Sequence, residues 1–259
     1  MFLALDVGNT NAVVGLFQQE HLLATWRLST HPLVTADELR LKLHHLLTME
    51  GYSLEDIQTV SVSSVVPQLN SAIEQAFKKI KPQFIDHNSP LSFEILADPK
   101  SQVGADRLVN AEAAIQYYGA PCIVLDSGTA TTICAINERK QYLGGAIMPG
   151  LELSMRALAQ NTAKLFNVTL TAPTHAIGSN TQDAIRSGIV LGYACMIEGL
   201  VNRFIKEMAP SNKVTVIATG GVSYVLKDLI PGIDIVDTNL TLKGIEYINR
   251  SSRYEPTKY

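Results

Sequence analysis

The sequence predicts an α/β protein in which one domain plan with a mixed sheet is used twice. Two stretches carry that expectation. Phe2-Leu3-Ala4-Leu5 runs into Asp6-Val7-Gly8-Asn9-Thr10-Asn11, and Cys122-Ile123-Val124-Leu125 runs into Asp126-Ser127-Gly128-Thr129-Ala130-Thr131-Thr132. Apolar runs of this length, bounded by turn residues, read as buried strands. Each strand ends on an Asp, and each following turn contains a Gly among hydroxyl and amide side chains. The third observation is bulk: 259 residues with 46% hydrophobic and 17% charged content can fill two cores of modest size.

The elements follow in order. The first half opens with strands at Phe2 to Asp6, Ala12 to Phe17 and Leu22 to Leu28. A helix from Ala36 to Thr48 comes next, with Thr35 as N-cap and Glu38 completing a capping box. A strand at Thr59 to Val65, a helix at Leu69 to Ile80 and a short strand at Phe84 to Asp86 lead to a helix from Gly104 to Tyr118. The second half repeats the order with strands at Cys122 to Leu125, Thr131 to Ile136 and Tyr142 to Ile147. Helices at Leu151 to Gln160 and Thr181 to Glu207 follow, then strand Val214 to Ala218, helix Tyr224 to Leu229, strand Ile233 to Val236 and helix Leu242 to Ile248. Three strands and then alternating helix and strand, given twice, is the order of duplicated ribonuclease-H-like domains, expected over residues 1–119 and 120–259. The polar tail from Ser251 to Tyr259 reads as a frayed end.

Charge and composition exclude several classes. Net charge is −3, and no run of Lys or Arg is longer than Lys78-Lys79, so nucleic-acid binding lacks its electrostatic footprint. No cationic segment precedes an apolar stretch at the N-terminus, which argues against a signal peptide. The apolar region from Ile189 to Phe204 is interrupted by Glu198, Asn202 and Arg203, and reads as a buried helix rather than a membrane span. Cys122, Cys134 and Cys195 show no metal-ligand spacing, and their apolar surroundings suggest reduced core residues in a cytoplasmic protein.

The two Gly turns offer backbone N–H groups and hydroxyls to a phosphate, and a carboxylate to a cation bound beside it. Asp6 alone reads equally well as a turn-capping carboxylate; its echo in Asp126 favours function. Asn9 and Thr10 can satisfy turn backbone and still face a phosphate. Thr129, Thr131 and Thr132 read either as ordinary strand residues or as phosphate contacts. Thr219-Gly220-Gly221 after the strand Val214 to Ala218 is a tight turn that, as a third strand-end loop, suits an adenosine. The pattern is that of two domains facing each other across a nucleotide, with neither a Walker motif nor a dinucleotide fingerprint.

Together the three loops resemble the acetate and sugar kinase, Hsp70 and actin superfamily, which implies an actin-like ATPase fold. Gly104-Ala105-Asp106-Arg107, the Asp126 to Thr132 stretch and Gly144-Gly145-Ala146-Ile147-Met148-Pro149-Gly150 are similar to motifs of type III pantothenate kinases. So is the segment from Ala157-Leu158 to Thr162-Ala163-Lys164-Leu165. The resemblance implies ATP-dependent phosphorylation of pantothenate, the first step towards coenzyme A. It also implies Asp106 as general base and Gly104, Ala105, Asp106, Arg107 and Thr181 as pantothenate contacts. Asp6, Val7, Gly8, Asn9, Thr10, Asn11, Ala12, Val13 and Thr129 match ATP contacts. Asp126 matches the ligand of an activating monovalent cation, potassium or ammonium, and Asp6 is placed near the Mg²⁺ that accompanies ATP. Without the resemblance, Asp106 reads as a carboxylate favoured by a helix N-terminus and Arg107 as a surface ion pair. One stretch departs from the family: Ala97-Asp98-Pro99-Lys100-Ser101-Gln102-Val103 is one residue longer and lacks the usual Tyr.

Asp106 is expected to need no more than an ordinary carboxylate pKa near ~3.9, taking the hydroxyl proton late in phosphoryl transfer. The wide apolar arc of the helix Thr181 to Glu207 suits either a core between domains or a homodimer, and the family is dimeric. Two alternatives stand beside the kinase: a non-catalytic regulator like the Bvg accessory factors, which share these motifs, and a kinase of another small hydroxy compound.

Overall fold

A computed structural model describes residues 1–162 and 164–254; Ala163, within one family-like segment, and the tail residues 255–259 lie outside the described residues. In chain order the elements are β1 (Phe2–Val7), β2 (Asn11–Gln18), β3 (His21–Ser29), α1 (Ala36–Met49), β4 (Thr59–Ser64), α2 (Pro67–Ala76), β5 (Gln83–Phe84), β6 (Glu94–Ile95) and α3 (Ala105–Tyr118). There follow β7 (Cys122–Ser127), β8 (Ala130–Ile136), β9 (Gln141–Pro149), α4 (Leu151–Gln160), α5 (Thr181–Arg186), α6 (Gly192–Met208), β10 (Thr215–Thr219), α7 (Ser223–Leu229), β11 (Ile235–Val236) and α8 (Leu240–Tyr254).

Both sheets are mixed and share one plan. The first runs β3-β2-β1-β4-β5 and the second β11-β10-β7-β8-β9-β6. In each, three strands meander antiparallel, and the opening strand pairs in parallel with a later one, β1 with β4 and β7 with β10. The two-residue β6, which the sequence did not lead us to expect, joins the second sheet in parallel beside β9. By packing, residues up to Ser92, Ala97–Ala113 and the chain from Leu240 form one compact unit, and Phe93–Leu96 with Ala114–Asn239 form the other. The last helix therefore groups with the first unit, whereas the sequence suggested a single boundary at 119/120.

The period-two alternation of β1 explains the first unit. Leu3, Leu5 and Val7 pack with Leu39, Leu43 and Leu47 of α1 and Leu69 and Ile73 of α2. Phe2 and Ala4 on the opposite face pack with Val109 of α3 and Leu242, Ile245 and Ile248 of α8. The expected capping box of α1 is present, the Glu38 N–H donating to Thr35 Oγ1 and Glu38 Oε2 accepting from the Thr35 N–H. Helix α8 lies unusually close to α3: a Cβ on Gly244 would stand 2.0 Å from the Val109 carbonyl oxygen.

The second unit buries Ile123 and Leu125 of β7 with Val216 and Ala218 of β10 and with Tyr193, Ala194, Ile197 and Val201 of α6. The helix expected from Thr181 to Glu207 is not uniform. A π-turn, Ser187–Leu191, joins α5 to α6. By length and composition Thr181–Met208 could cross a bilayer, but one of its faces belongs to this core. Two cysteines are buried as expected; Cys195 is exposed instead, because it lies on the side of α6 turned away from the sheet.

Candidate active site

The phosphate-type loop of the first unit is the β1–β2 hairpin. Asp6 ends the β1 face that begins with Phe2 and Ala4, and its partner across the parallel ladder is Ser63 of β4. The Ser63 hydroxyl donates to Asp6 Oδ1 at 3.2 Å, which orients the carboxylate. Val7 is buried, the Gly8 N–H donates to the Asn11 carbonyl, and Asn9 and Thr10 are exposed at the tip. Asn11, Ala12 and Val13 are partly buried where β2 starts. The tip is braced from the side: buried Thr30 donates its hydroxyl to the Asn9 carbonyl at 2.7 Å and its N–H to the Thr10 carbonyl at 3.0 Å. The polar loop is thereby held open towards solvent rather than collapsed on itself.

Gly104, Ala105, Asp106 and Arg107 form the turn that starts α3, in the same unit. The Arg107 and Leu108 N–H groups donate to the Gly104 carbonyl. The Asp106 carboxylate folds back, its Oδ1 accepting the Arg107 N–H at 2.8 Å. A Cβ on Gly104 would stand 2.5 Å from that oxygen, so this conformation requires the glycine. Burial pushes the Asp106 carboxyl above the usual carboxylate range, outweighing the Arg107 N–H and the Arg107 charge, which act the other way. The sequence asked only that an ordinary carboxylate pKa suffice; burial sets this one above that range. Arg107 donates from Nη2 to the Gln102 carbonyl at 3.0 Å, so the stretch that departs from the family steers this guanidinium through its backbone.

One residue links the turn to the hairpin. Val65 donates its N–H to the Val7 carbonyl, and its Cγ1 lies 3.5 Å from where a Gly104 Cβ would be. The first unit therefore brings Asp6 to Val13 and Gly104 to Arg107 to one end of the same sheet.

In the second unit Asp126, one residue before the end of β7, lies between Thr132 of β8 and Thr219 of β10. The Gly128 N–H donates to the Ala130 carbonyl, Thr129 is exposed at the tip, and its carbonyl accepts from the Gly150 N–H. Gly220, at φ +89°, comes so close that a Cβ there would sit 2.8 Å from Asp126 Oδ1 and 2.6 Å from the Ser127 carbonyl oxygen. An L side chain is excluded on both counts. Burial, and then the Asp126 charge, push the Tyr193 phenol upward in pKa, partly offset by its hydrogen bond with Thr131.

Thr181 is exposed as the first residue of α5, whose N-cap Asn180 accepts the Asp183 N–H. It lines an apolar cavity of about 280 Å³ with Leu158, Leu165, Ile185 and Ile189, which brings it to the family-like Leu158 and Leu165. Several contributors escaped the sequence reading. The small hydroxyls of Ser61 and Ser63, at period two in an apolar strand, are a usable signal for a polar strand end. Thr30, Gln102 and Tyr193 carry none, since their roles depend on contacts distant in sequence.

Cation chemistry is constrained by the donor set. Among the described residues no group of three or more His, Cys, Asp or Glu side chains converges on one point. The Asp6 carboxylate fits Mg²⁺, which keeps waters and takes most of its ligands from phosphates. Asp126 Oδ1 and the Ser127 carbonyl, both close to Gly220, are oxygen donors of the kind a monovalent ion takes.

The model of the family described as type III pantothenate kinase matches residues 2–203. A type III pantothenate kinase of Rubrobacter xylanophilus is 44% identical over 260 residues, covering 96% of this chain and 97% of that one. Among solved structures, a conserved Campylobacter jejuni protein described as a Baf family transcriptional activator superposes with a TM-score of 0.63 at 22% identity, covering 98% of this chain and 100% of the other. A Porphyromonas gingivalis protein described as an N-acetylglucosamine kinase gives 0.55 at 12% identity, with 98% and 100% covered. At these identities the two structures speak to fold alone.

Proposed function

The chain belongs to the type III pantothenate kinase family and phosphorylates pantothenate with ATP in coenzyme A biosynthesis, and from that premise we propose that Asp106 is its general base. The observation that carries this role is the carboxylate turned back over Gly104 at the start of α3, with its proton affinity raised by burial. A raised pKa makes a better proton acceptor than an exposed Asp. Asp106 takes the proton from the terminal hydroxyl of pantothenate as the oxygen bonds to the γ-phosphorus and the bond to the β-phosphate oxygen breaks.

The other roles follow by chemistry. One donor of Arg107 is committed to the Gln102 carbonyl, which fixes the guanidinium plane for a charge-assisted pair with the pantothenate carboxylate. Asp6 to Val13 and Thr129 contact ATP, with hairpin N–H groups turned to phosphate oxygens. Mg²⁺ bound with ATP near Asp6 supplies charge neutralisation on the phosphates. Asp126 would hold potassium or ammonium, a reading supported by its carboxylate oxygen lying near the Ser127 carbonyl at the Gly220 turn, two oxygen donors of the kind such an ion takes. Thr181 completes the pantothenate contacts. Two buried thiols and one exposed free thiol suit a reducing cytoplasm. The enzyme works as a homodimer, a reading supported by the half of α6 that the fold leaves uncovered.

The test is coupled ATP turnover with pantothenate against a panel of sugars and other small hydroxy acids. Turnover confined to pantothenate is expected. Preference for a sugar would overturn the substrate, and none with any acceptor would favour a regulator. Rates compared in potassium, ammonium and sodium buffers test Asp126: equal rates in all three would remove the cation role and leave the kinase standing.

A further inference from the structure

The neck of the second hairpin is fastened by side chains on both strands. Ser127 and Thr131 face each other across β7 and β8, directly below the tip Gly128-Thr129-Ala130. The Ser127 hydroxyl donates to the Thr219 carbonyl at 2.8 Å, tying one strand to the Gly220 turn. The Thr131 hydroxyl is hydrogen-bonded to the Tyr193 hydroxyl, tying the other strand to α6. Both residues of the second pair are buried, Thr131 fully and Tyr193 to 4% exposure. Removing either hydroxyl strands the other away from water, so the pair is costly to break.

Tyr193 reaches Thr131 because of the π-turn. Ser187–Leu191 inserts about one residue into the helix, and one residue turns everything after it by about 100°. Tyr193 stands two residues beyond the turn, on the face shared with Ala194, Ile197 and Val201. A π-turn is a local departure from the best backbone hydrogen bonding, and such turns gather at functional sites. Here its product is one phenol delivered to the neck of the hairpin.

We propose that Tyr193 is a positioning residue for ATP: its hydroxyl, through Thr131, fixes the neck of the hairpin Asp126–Thr132 so that the tip meets the nucleotide in one geometry. The proposal rests on the reading that this hairpin contacts ATP. It adds a residue from the long helix to a hairpin loop otherwise supplied by β7 and β8.

Tyr193→Phe keeps the ring and removes the bond; Thr131→Val removes it from the other side. Each is expected to raise the KM for ATP about tenfold, the scale of one lost buried hydrogen bond, while the KM for pantothenate stays within about twofold. The double variant should be no worse than either single one, since both remove the same bond. A merely structural residue would lower the melting temperature and the active fraction without moving the KM for ATP selectively. An unchanged KM for ATP in Tyr193→Phe, or effects that multiply in the double variant, would overturn the proposal. Should Tyr193→Phe fail to fold, a normal KM for ATP in Thr131→Val does the same. Thr129→Ala separates the premise: if it leaves ATP affinity untouched, the hairpin is not a nucleotide loop and the proposal falls with it. Weakened ATP binding in Thr129→Ala with normal Tyr193→Phe removes Tyr193 alone.

Discussion

A carboxylate folded over a glycine loses more hydration than one N–H and one neighbouring charge return, and Asp106 is raised for that reason. The sign of the consequence is fixed. In the proposed role Asp106 works only when ionised, so kcat/KM for pantothenate should fall as pH drops through the Asp106 pKa. That acid limb should lie above the ~3.9 of an exposed Asp. Stability runs the other way. A carboxyl whose pKa is raised by folding contributes stability that is present below its unfolded value and lost as pH rises through the folded one. Asp106→Asn should therefore be at least as heat-stable as the parent at neutral pH while losing on the order of 10²–10⁴ in turnover. Melting curves and steady-state rates on the same preparation check both halves. Near-normal turnover would remove the base role, and a large drop in melting temperature would contradict the burial argument.

At the scale of elements, α8 sets where α3 can lie. Gly244 sits against the Val109 backbone, and the Thr241 hydroxyl donates to buried Asn110 at 2.8 Å, within one turn of Asp106. Gly244→Ala would force the helices apart and should cost about 1–3 kcal/mol. Turnover should fall with it because the Asp106 turn moves too. Denaturant titration and rates measure the two; an unchanged stability would show that α8 yields without moving α3. This contact also marks the limit of what the sequence could tell. Strand ends and both hairpins were legible because Gly, Asp and alternation are local signals, whereas the Gly104 to Arg107 turn was read through its family resemblance. The order of strands followed from repetition of the same local order. The placement of α8 with the first unit was not legible, since Leu242, Ile245 and Ile248 state only that one face is apolar. The π-turn was hidden for a related reason: an extra residue in a helix alters which face is buried without altering composition. Asp106's raised pKa and Gln102's hold on Arg107 depend on backbone geometry, which no side chain announces.

For the whole molecule the open half of the long helix is decisive. Of its most apolar stretch only 33% is buried, with Tyr193, Ala194, Ile197 and Val201 inward and Met196 40% exposed. The sequence left Met196 and Leu200 as equal candidates to face a partner. In the fold Leu200 is partly buried against the core and Met196 points out. Asp at the two positions should then behave differently. Leu200→Asp sets a charge against an apolar core and should destabilise the protomer itself. Met196→Asp should spare the protomer's melting temperature and weaken association. One helix face is small beside the ~1,600 Å² that a stable interface buries, so other surface must join it. Ile147, Leu153, Phe166 and Ile177, all exposed and all in the same unit, are the available apolar groups. A twofold axis would use this surface on both copies at once. Because Thr181 begins the same continuous helix, loss of the dimer should carry pantothenate turnover down with it. Light scattering and rates across a dilution series test this. Met196→Asp should dissociate at higher concentration than the parent and regain activity as concentration rises. A parent protein that is monomeric at working concentration, with full activity, would refute the shared interface and leave the kinase chemistry intact.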